Sequence, residues 1–297
     1  YGGARALAAM KHVGLNVAAD PFMTLSYTGV NGGLVLVVCE DPEMHSSQNE
    51  QDTRNYAKFG KVPCLEPSDS QEAKDLIGEA LNISEKFDTP VIFRSTTRVS
   101  HSMSLVETGS RTEGTVELGL KKDPVKFVML PAMARRKHPW VEQRMKDLAE
   151  YAETFSYNIV MEGSKSIGII ASGIAYQYAK EAIPEASFLK LGMVWPLPEK
   201  LIKKFAASVD RLVVIEELDP FFEEAIRLMG VKVEGKALTG MCGELSVEKI
   251  EVALKGKSSA ESIGSIDAEL PMRPPNMCPG CPHRASFTAL KKHKLYV

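Results

Sequence analysis

Apolar positions along the chain fall into two rhythms, unbroken runs and three-four spacings, and each change of rhythm marks a change of element. Leu34 to Cys39 is an unbroken, Val-rich run behind the turn Gly29-Val30-Asn31-Gly32-Gly33. Such a run predicts a strand covered on both faces, as in a parallel sheet. From Ser68 the rhythm changes. Ala73, Leu76, Ile77, Ala80, Leu81 and Phe87 predict an amphipathic helix, with Ser68-x-x-Gln71 as its capping box. Asp88-Thr89-Pro90 ends it, and Val91-Ile92-Phe93 opens the next buried strand, closing a strand-helix-strand unit. Ahead of these, Tyr1 to Met10 reads as helix with no cap before it, so the chain is taken as a piece of something longer.

Residues 104 to 154 are richer in Gly, Pro and charge, and predict a linker with one helical patch near Val141 to Phe155. Alternation then resumes. Ser166 to Ala171, Phe188 to Val194, Arg211 to Glu216 and a short Val231-Lys232-Val233 read as strands. Gly173 to Ile183, Glu199 to Ala207 and Pro220 to Met229 read as the helices between them. That order predicts a second open parallel sheet. Lys255 to Pro275 is Ser-, Gly- and Pro-rich, again a linker. The fold class is therefore α/β, with consecutive open parallel-sheet domains.

Composition narrows the function classes. In 297 residues, 36 Lys and Arg stand against 38 Asp and Glu, a net charge of −2, which lacks the basic excess of a nucleic-acid binder. The one basic cluster, Arg135-Arg136-Lys137-His138, reads as a solvated connection. The longest apolar stretch, Gly33 to Cys39, falls far short of the roughly 20 residues a membrane helix needs. Five cysteines in so long a chain predict a reducing, cytoplasmic setting.

Common nucleotide and hydrolase signatures are missing. No Gly-x-Gly-x-x-Gly follows a strand, the spacings Gly114 to Gly119 and Gly163 to Gly168 lack the Lys and Ser/Thr of a P-loop, and there is no Gly-x-Ser-x-Gly. The sharpest local signal is Cys278-Pro279-Gly280-Cys281-Pro282-His283, a Cys-x-x-Cys turn that puts two thiolates within reach of one metal. It reads as half of a cluster site, as a redox thiol pair, or as a plain Pro-Gly turn. The second signal is the polar run His45-Ser46-Ser47-Gln48-Asn49-Glu50-Gln51-Asp52-Thr53-Arg54 beyond the strand that ends near Glu40. Ligands of parallel sheets bind there, so His45, Ser46, Ser47, Gln48 and Asn49 are candidate cofactor- or substrate-side residues, with a solvated loop as the plainer alternative. His12 reads as a satisfied packing residue and Cys39 as a small apolar filler. Cys64 and Cys242 have no partner at ligand spacing and receive no role.

Met10-Lys11-His12-Val13-Gly14-Leu15-Asn16-Val17-Ala18, Asp20-Pro21, Tyr27-Thr28-Gly29-Val30 and Ser46 to Arg54 together resemble the large (alpha) subunit of indolepyruvate:ferredoxin oxidoreductase. Arg98-Val99-Ser100-His101-Ser102 and Pro274-Pro275-x-x-Cys278-Pro279-Gly280-Cys281-Pro282-His283-Arg284 continue the resemblance in the same order. It implies oxidative decarboxylation of an aryl pyruvate, a 2-oxoacid, to an acyl-CoA, with thiamine diphosphate and Mg²⁺ as cofactors. Electrons would pass through a 4Fe-4S iron-sulfur cluster to ferredoxin, beside a smaller beta subunit and coenzyme A. Cys278 and Cys281 would be two of the cluster's ligands. Residues 1–103 would be the later part of a pyrimidine-binding domain and 104–154 a linker with helix. Residues 155–235 would be a transketolase C-terminal-like domain, 236–269 a connecting segment and 270–297 the start of a diphosphate-binding domain. The glutamate that activates the aminopyrimidine would precede Tyr1 and the Mg²⁺ motif would follow Val297. The chain would then be a fragment lacking both ends, holding no catalytic residue and inactive alone. The competing class is a non-catalytic α/β metal-binding or interaction protein with Cys278 and Cys281 in a zinc site.

Overall fold

The computed structural model of the chain describes residues 1–110, 119, 122–259, 271, 277 and 279–295. It divides into two units, Tyr1–Ser259 and Ala260–Val297. The smaller unit contributes one described helix, His283–Lys292, and all else below concerns the larger. No helix among the described residues is long and apolar enough to cross a membrane.

The larger unit holds two sheets. The first is built from β1 (Ala6–Lys11), β2 (Leu34–Glu40), β3 (Cys64–Leu65), β4 (Val91–Thr96) and β8 (Met193–Trp195), in the order β1-β2-β4-β3-β8. The second is β5 (Ile159–Met161), β6 (Ser164–Ala171), β7 (Ala186–Lys190) and β9 (Leu212–Ile215), in the order β5-β7-β6-β9. Each sheet is parallel except for one edge strand: β8 runs against β3, and β5 against β7. In chain order the helices are α1 (His12–Val17), α2 (Ala19–Thr28), α3 (Thr53–Gly60), α4 (Ser70–Phe87), α5 (Thr97–His101), α6 (Pro124–Phe127) and α7 (Pro131–Ala152). After these come α8 (Gly173–Ala182), α9 (Glu199–Ala206), α10 (Phe221–Leu228), α11 (Lys236–Thr239) and α12 (Val247–Lys255), and α13 is the helix of the smaller unit.

Several elements depart from the sequence pattern, each for a local reason. Ala6 to Met10 is strand, not helix: its alanines favour helix, but pairing along β2 from Ala6↔Leu34 to Lys11↔Cys39 overrides that preference. The run Phe188 to Val194 breaks after Lys190. There the Asn158 side chain accepts the N–H groups of Gly192 and Met193, both at 3.0 Å, and the chain crosses to the first sheet as β8. Val231 to Val233 forms no strand, and only a single bridge, Val213↔Glu234, is made beside it. The helix expected at Val141 starts at Pro131, a residue suited to a first turn, and carries the basic cluster with it. The α4 cap shifts by one residue: Asp69 accepts the Glu72 N–H, while the Glu72 carboxylate takes the N–H and hydroxyl of Ser68. The Ser- and Gly-rich stretch after Lys255 lies largely outside the described residues.

Three apolar cores hold these layers. Leu76, Ala80 and Ile83 of α4 and Leu148 and Ala152 of α7 cover one face of the first sheet through Val35, Val91 and Phe93. Ala175, Ala179, Ala182 and Ile250, from α8 and α12, cover one face of the second. The largest core is common to both sheets, since Leu36, Val38 and Ile92 share it with Ile170, Leu189 and Val214. The two sheets are packed as one body.

Arg144 on α7 ties the helices behind the first sheet. Its guanidinium donates to the carbonyls of Ser26, Lys61 and Asp88, at 2.8, 3.1 and 3.0 Å, which lie at the C-terminal ends of α2, α3 and α4. Three sets of orphan carbonyls and three negative dipole ends thus meet one buried cation. Burial pulls its pKa down to about 10, against the opposing pull of Asp88. Arg144→Met, which keeps the stem but leaves those carbonyls unpaired, should cost about 2–4 kcal/mol of unfolding free energy in a urea titration.

Candidate functional site

Parallel strands deliver their carboxyl ends to one rim, and here the rims of the two sheets meet. β2 ends in Glu40, Glu66 follows β3, and Arg94 and Thr96 close β4. From the second sheet come Ser172, after β6, and Glu216 and Glu217, after β9. All are buried, with Arg54 and Arg94 only 0% and 1% exposed.

Arg94 is the first hub. Its Nε donates to Glu40 at 2.6 Å, its Nη1 to Glu66, and Asp52 lies 4.0 Å away. The other Glu66 oxygen accepts from the Ser172 hydroxyl at 2.8 Å, so this chain of contacts crosses from one sheet to the other. Arg54, in the first turn of α3, is the second hub. Its Nε donates to both oxygens of Asp52, at 2.9 and 3.1 Å, and its Nη1 to Glu216 at 2.7 Å. Its Nη2 reaches the carbonyls of Glu217 and Asp219 at 2.9 and 3.2 Å. The rings of Phe221 and Phe222 lie 5.1 and 4.8 Å from the guanidinium carbon. Glu216 also accepts the N–H groups of Phe222 and Glu223, in the first turn of α10.

Electrostatics inside the cluster follow from burial set against these cations. Burial pushes Glu40 and Glu217 up to about 7, with Arg94 opposing in both cases. Burial likewise raises Glu216 against the pull of Arg54. At Asp52 burial works in the same sense, but Arg54 and Arg94 outweigh it and hold the carboxyl below its ordinary value.

Next to the cluster, at the carboxyl ends of β1, β2 and β4, lies a cleft of about 630 Å³. Lys11, Glu40, Asp41, Thr97 and Arg98 line it from the strand ends, His45 and Ser46 from the following loop, and Cys39, Ser100 and His101 complete it. Asp41 organises one wall, accepting from the Ser46 N–H at 2.8 Å, the Ser47 hydroxyl at 2.5 Å and the Thr97 hydroxyl at 2.9 Å. These donors and Lys11 overcome burial and drive its pKa well below the carboxylate range. Across the rim, Arg98 makes a two-pronged pair with Glu244, which also lies 3.6 Å from His45 and whose N–H donates to Glu43 at 2.9 Å. Glu43, His45 and Glu244 thus converge, but Arg98 already occupies the Glu244 carboxylate.

The chain is similar to known proteins. No family model matches the chain. Over 98% of its length it is 41% identical to indolepyruvate oxidoreductase subunit IorA of Pyrococcus horikoshii, and 43% identical to the IorA subunit of Archaeoglobus fulgidus, covering 49% of each. The chain belongs to the IorA family of indolepyruvate oxidoreductase subunits. It spans about half the length of the curated relatives it matches. Among solved structures, the 2-oxoglutarate:ferredoxin oxidoreductase of Magnetococcus marinus, with 2-oxoglutarate, coenzyme A and succinyl-CoA bound, overlays with a TM-score of 0.60. That match covers 84% of this chain and 52% of the other at 15% identity, a likeness of fold.

In this IorA-family chain the residues singled out from sequence are spread over different settings. His45 and Ser46 line the cleft, Ser47 turns inward to Asp41, and Gln48 and Asn49 are exposed, Asn49 accepting from Gln51. The end of the same polar run is not solvated at all: Asp52, Thr53 and Arg54 are buried in the cluster. Cys281 is half-buried with its Sγ 3.4 Å from Nδ1 of His283, and Cys278 lies outside the described residues. Cys39 is half-buried in the cleft wall rather than filling a core, and burial raises its thiol pKa despite a hydrogen bond from Ser100. His12 is buried, yet among the described residues neither ring nitrogen has a hydrogen-bond partner, so it is not satisfied as expected.

The cluster itself went unread. Its signals were present: an arginine inside the buried run Val91-Ile92-Phe93-Arg94, and two glutamates directly after Leu212-Val213-Val214-Ile215. Charges set in fully apolar strands require buried partners. Gly173 shows how tightly the sheets meet there. Its φ is +53°, and a Cβ at this position would lie 2.4 Å from Oε1 of Glu66. Gly173→Ala should therefore lower unfolding free energy by about 2–4 kcal/mol, read by urea denaturation, by combining backbone strain with loss of the Glu66 contacts.

Proposed function

We propose that this chain forms the substrate-side wall of a thiamine diphosphate-dependent 2-oxoacid:ferredoxin oxidoreductase acting on aryl pyruvates such as indolepyruvate, with an acyl-CoA as product. The identity of 41–43% to IorA subunits across 98% of the chain carries this reading. The ligands named for the overlaid oxidoreductase, a 2-oxoacid and coenzyme A, support it at the level of fold. In this reading residues 1–103 serve as the later part of the pyrimidine-binding domain, 155–235 as the transketolase C-terminal-like domain, and 270–297 open the diphosphate-binding domain. A smaller beta subunit and ferredoxin are its partners.

The cleft suits a substrate better than the activation of a cofactor. Neither of its carboxylates is free. Glu40 accepts from Arg94 and from the Thr53 N–H, and Asp41 accepts from Ser46, Ser47 and Thr97. Both are held by the protein's own donors, so no step through thiamine or Mg²⁺ runs through them. In this reading Cys278 and Cys281 would supply two ligands of an iron-sulfur cluster.

What the cleft can do is bind and orient. Lys11, His45 and His101 bring N–H donors to the cleft, the chemistry that grips the carboxylate of a 2-oxoacid. Asp41 holds Ser46 and Ser47, so this part of the loop is a positioned surface rather than a free one. In the assembled enzyme, assayed with indolepyruvate, coenzyme A and a viologen acceptor, His45→Ala should lower turnover by about tenfold or more and Gln48→Ala less. Thermal midpoints should stay near that of the parent. Unchanged kinetics in both variants would remove this loop from the substrate site.

A further inference from the structure

Between the sheets, five buried carboxyl groups gather round two guanidiniums. Glu40, Asp52, Glu66, Glu216 and Glu217 face Arg54 and Arg94 at the centre, which leaves an excess of three negative charges among these seven groups if every one is ionised. Lys236 on α11 faces Glu216 and Glu217 but is only half-buried, and it does not remove that excess. One arm of Arg94, Nη2, has no hydrogen-bond acceptor among the described residues. A buried acid excess of this kind is relieved by protons, since isolated buried carboxylates are far too costly.

We propose that the junction of the two sheets is a protonation-controlled lock, in which protons carried by Glu217 and Glu40, both facing Arg94, hold the sheets together and their loss loosens the junction.

The surroundings of both groups fix the direction. Glu217 faces Arg94 from β4, Glu40 from β2, Glu66 from the segment after β3, Lys236 from α11, Arg98 from α5 and Tyr178 from α8. Glu40 faces Arg94 and Asp52 and accepts from the Thr53 N–H. Both carboxyls sit at about 7, raised by burial from 4.5. The folded chain therefore keeps protons that the unfolded chain releases above about 4.5. Stability from these groups is fully present below that value, is lost as pH rises toward 7, and is level beyond. Glu216, raised in the same sense, adds to this fall, while Asp41 and Asp52, held low, act only at more acid pH.

Urea unfolding of the full chain between pH 5 and 8 tests the lock, with Glu217→Gln and Glu40→Gln as neutral mimics of the protonated groups. The parent chain should lose about tenfold or more in its folding constant between pH 5 and 7.5. Either variant should lose most of that dependence while folding at least as well at pH 8. A parent chain whose folding constant does not fall across this range overturns the proposal, as do two variants that fall as steeply as the parent. If neither variant folds, infrared spectroscopy of the parent decides. A protonated-carboxyl band at pH 6 that vanishes by pH 9 supports the lock, and its absence at pH 6 refutes it.

Discussion

Two arginines at the centre of a parallel-strand rim hold this fold in register. Arg94 belongs to the first sheet and gathers Glu40 and Glu66 of that sheet, while Arg54, on the helix beside it, reaches across to Glu216 of the second. Removing either would leave buried carboxylates without a counter-charge, a loss of about 3–5 kcal/mol, comparable to much of a domain's net stability. The apolar core shared by the two sheets supplies bulk burial, but it does not specify how one sheet is turned against the other. Directional, charge-assisted bonds do that.

The same contacts explain where the open space lies. In sheets of this type ligands settle beyond the carboxyl ends of the strands, near the point where strand order reverses. In the second sheet that point falls between β6 and β9, and it is filled from the first sheet: Glu66 meets Ser172 and packs against Gly173. The first sheet keeps its own space, the cleft beside Lys11, Glu40 and Thr97. One sheet thus keeps an open cleft at its rim, and the other has its switch point filled.

Much of this was legible in the sequence where periodicity is strong. The buried strands at Leu34, Val91, Ser166 and Arg211 and the helices beginning near Ser68, Gly173 and Glu199 stand within a few residues of their predicted places. What failed depended on long-range partners. Ala6 to Met10 has helical composition and becomes a strand only because β2 lies alongside, and Met193 to Trp195 leaves one apolar run for another sheet because Asn158 turns the chain. The candidate loop from His45 to Asn49 was placed correctly beyond β2, yet its last neighbours, Asp52 to Arg54, proved to be core. A polar run looks solvated when its partners, here Glu216 and Arg94, lie far away in sequence. The blocks that carry the family resemblance are long and local, and they needed no such partners to be read.

The direct test of the account is the coupling across the sheet junction, measured by a double-mutant cycle of Arg54→Met and Glu216→Gln in urea unfolding at pH 7. If the ionic rim orients the two sheets, the pair should show a coupling of about 2 kcal/mol or more. A coupling indistinguishable from zero, with each single substitution costing little, would mean that the apolar core alone joins the sheets, and the account would be wrong.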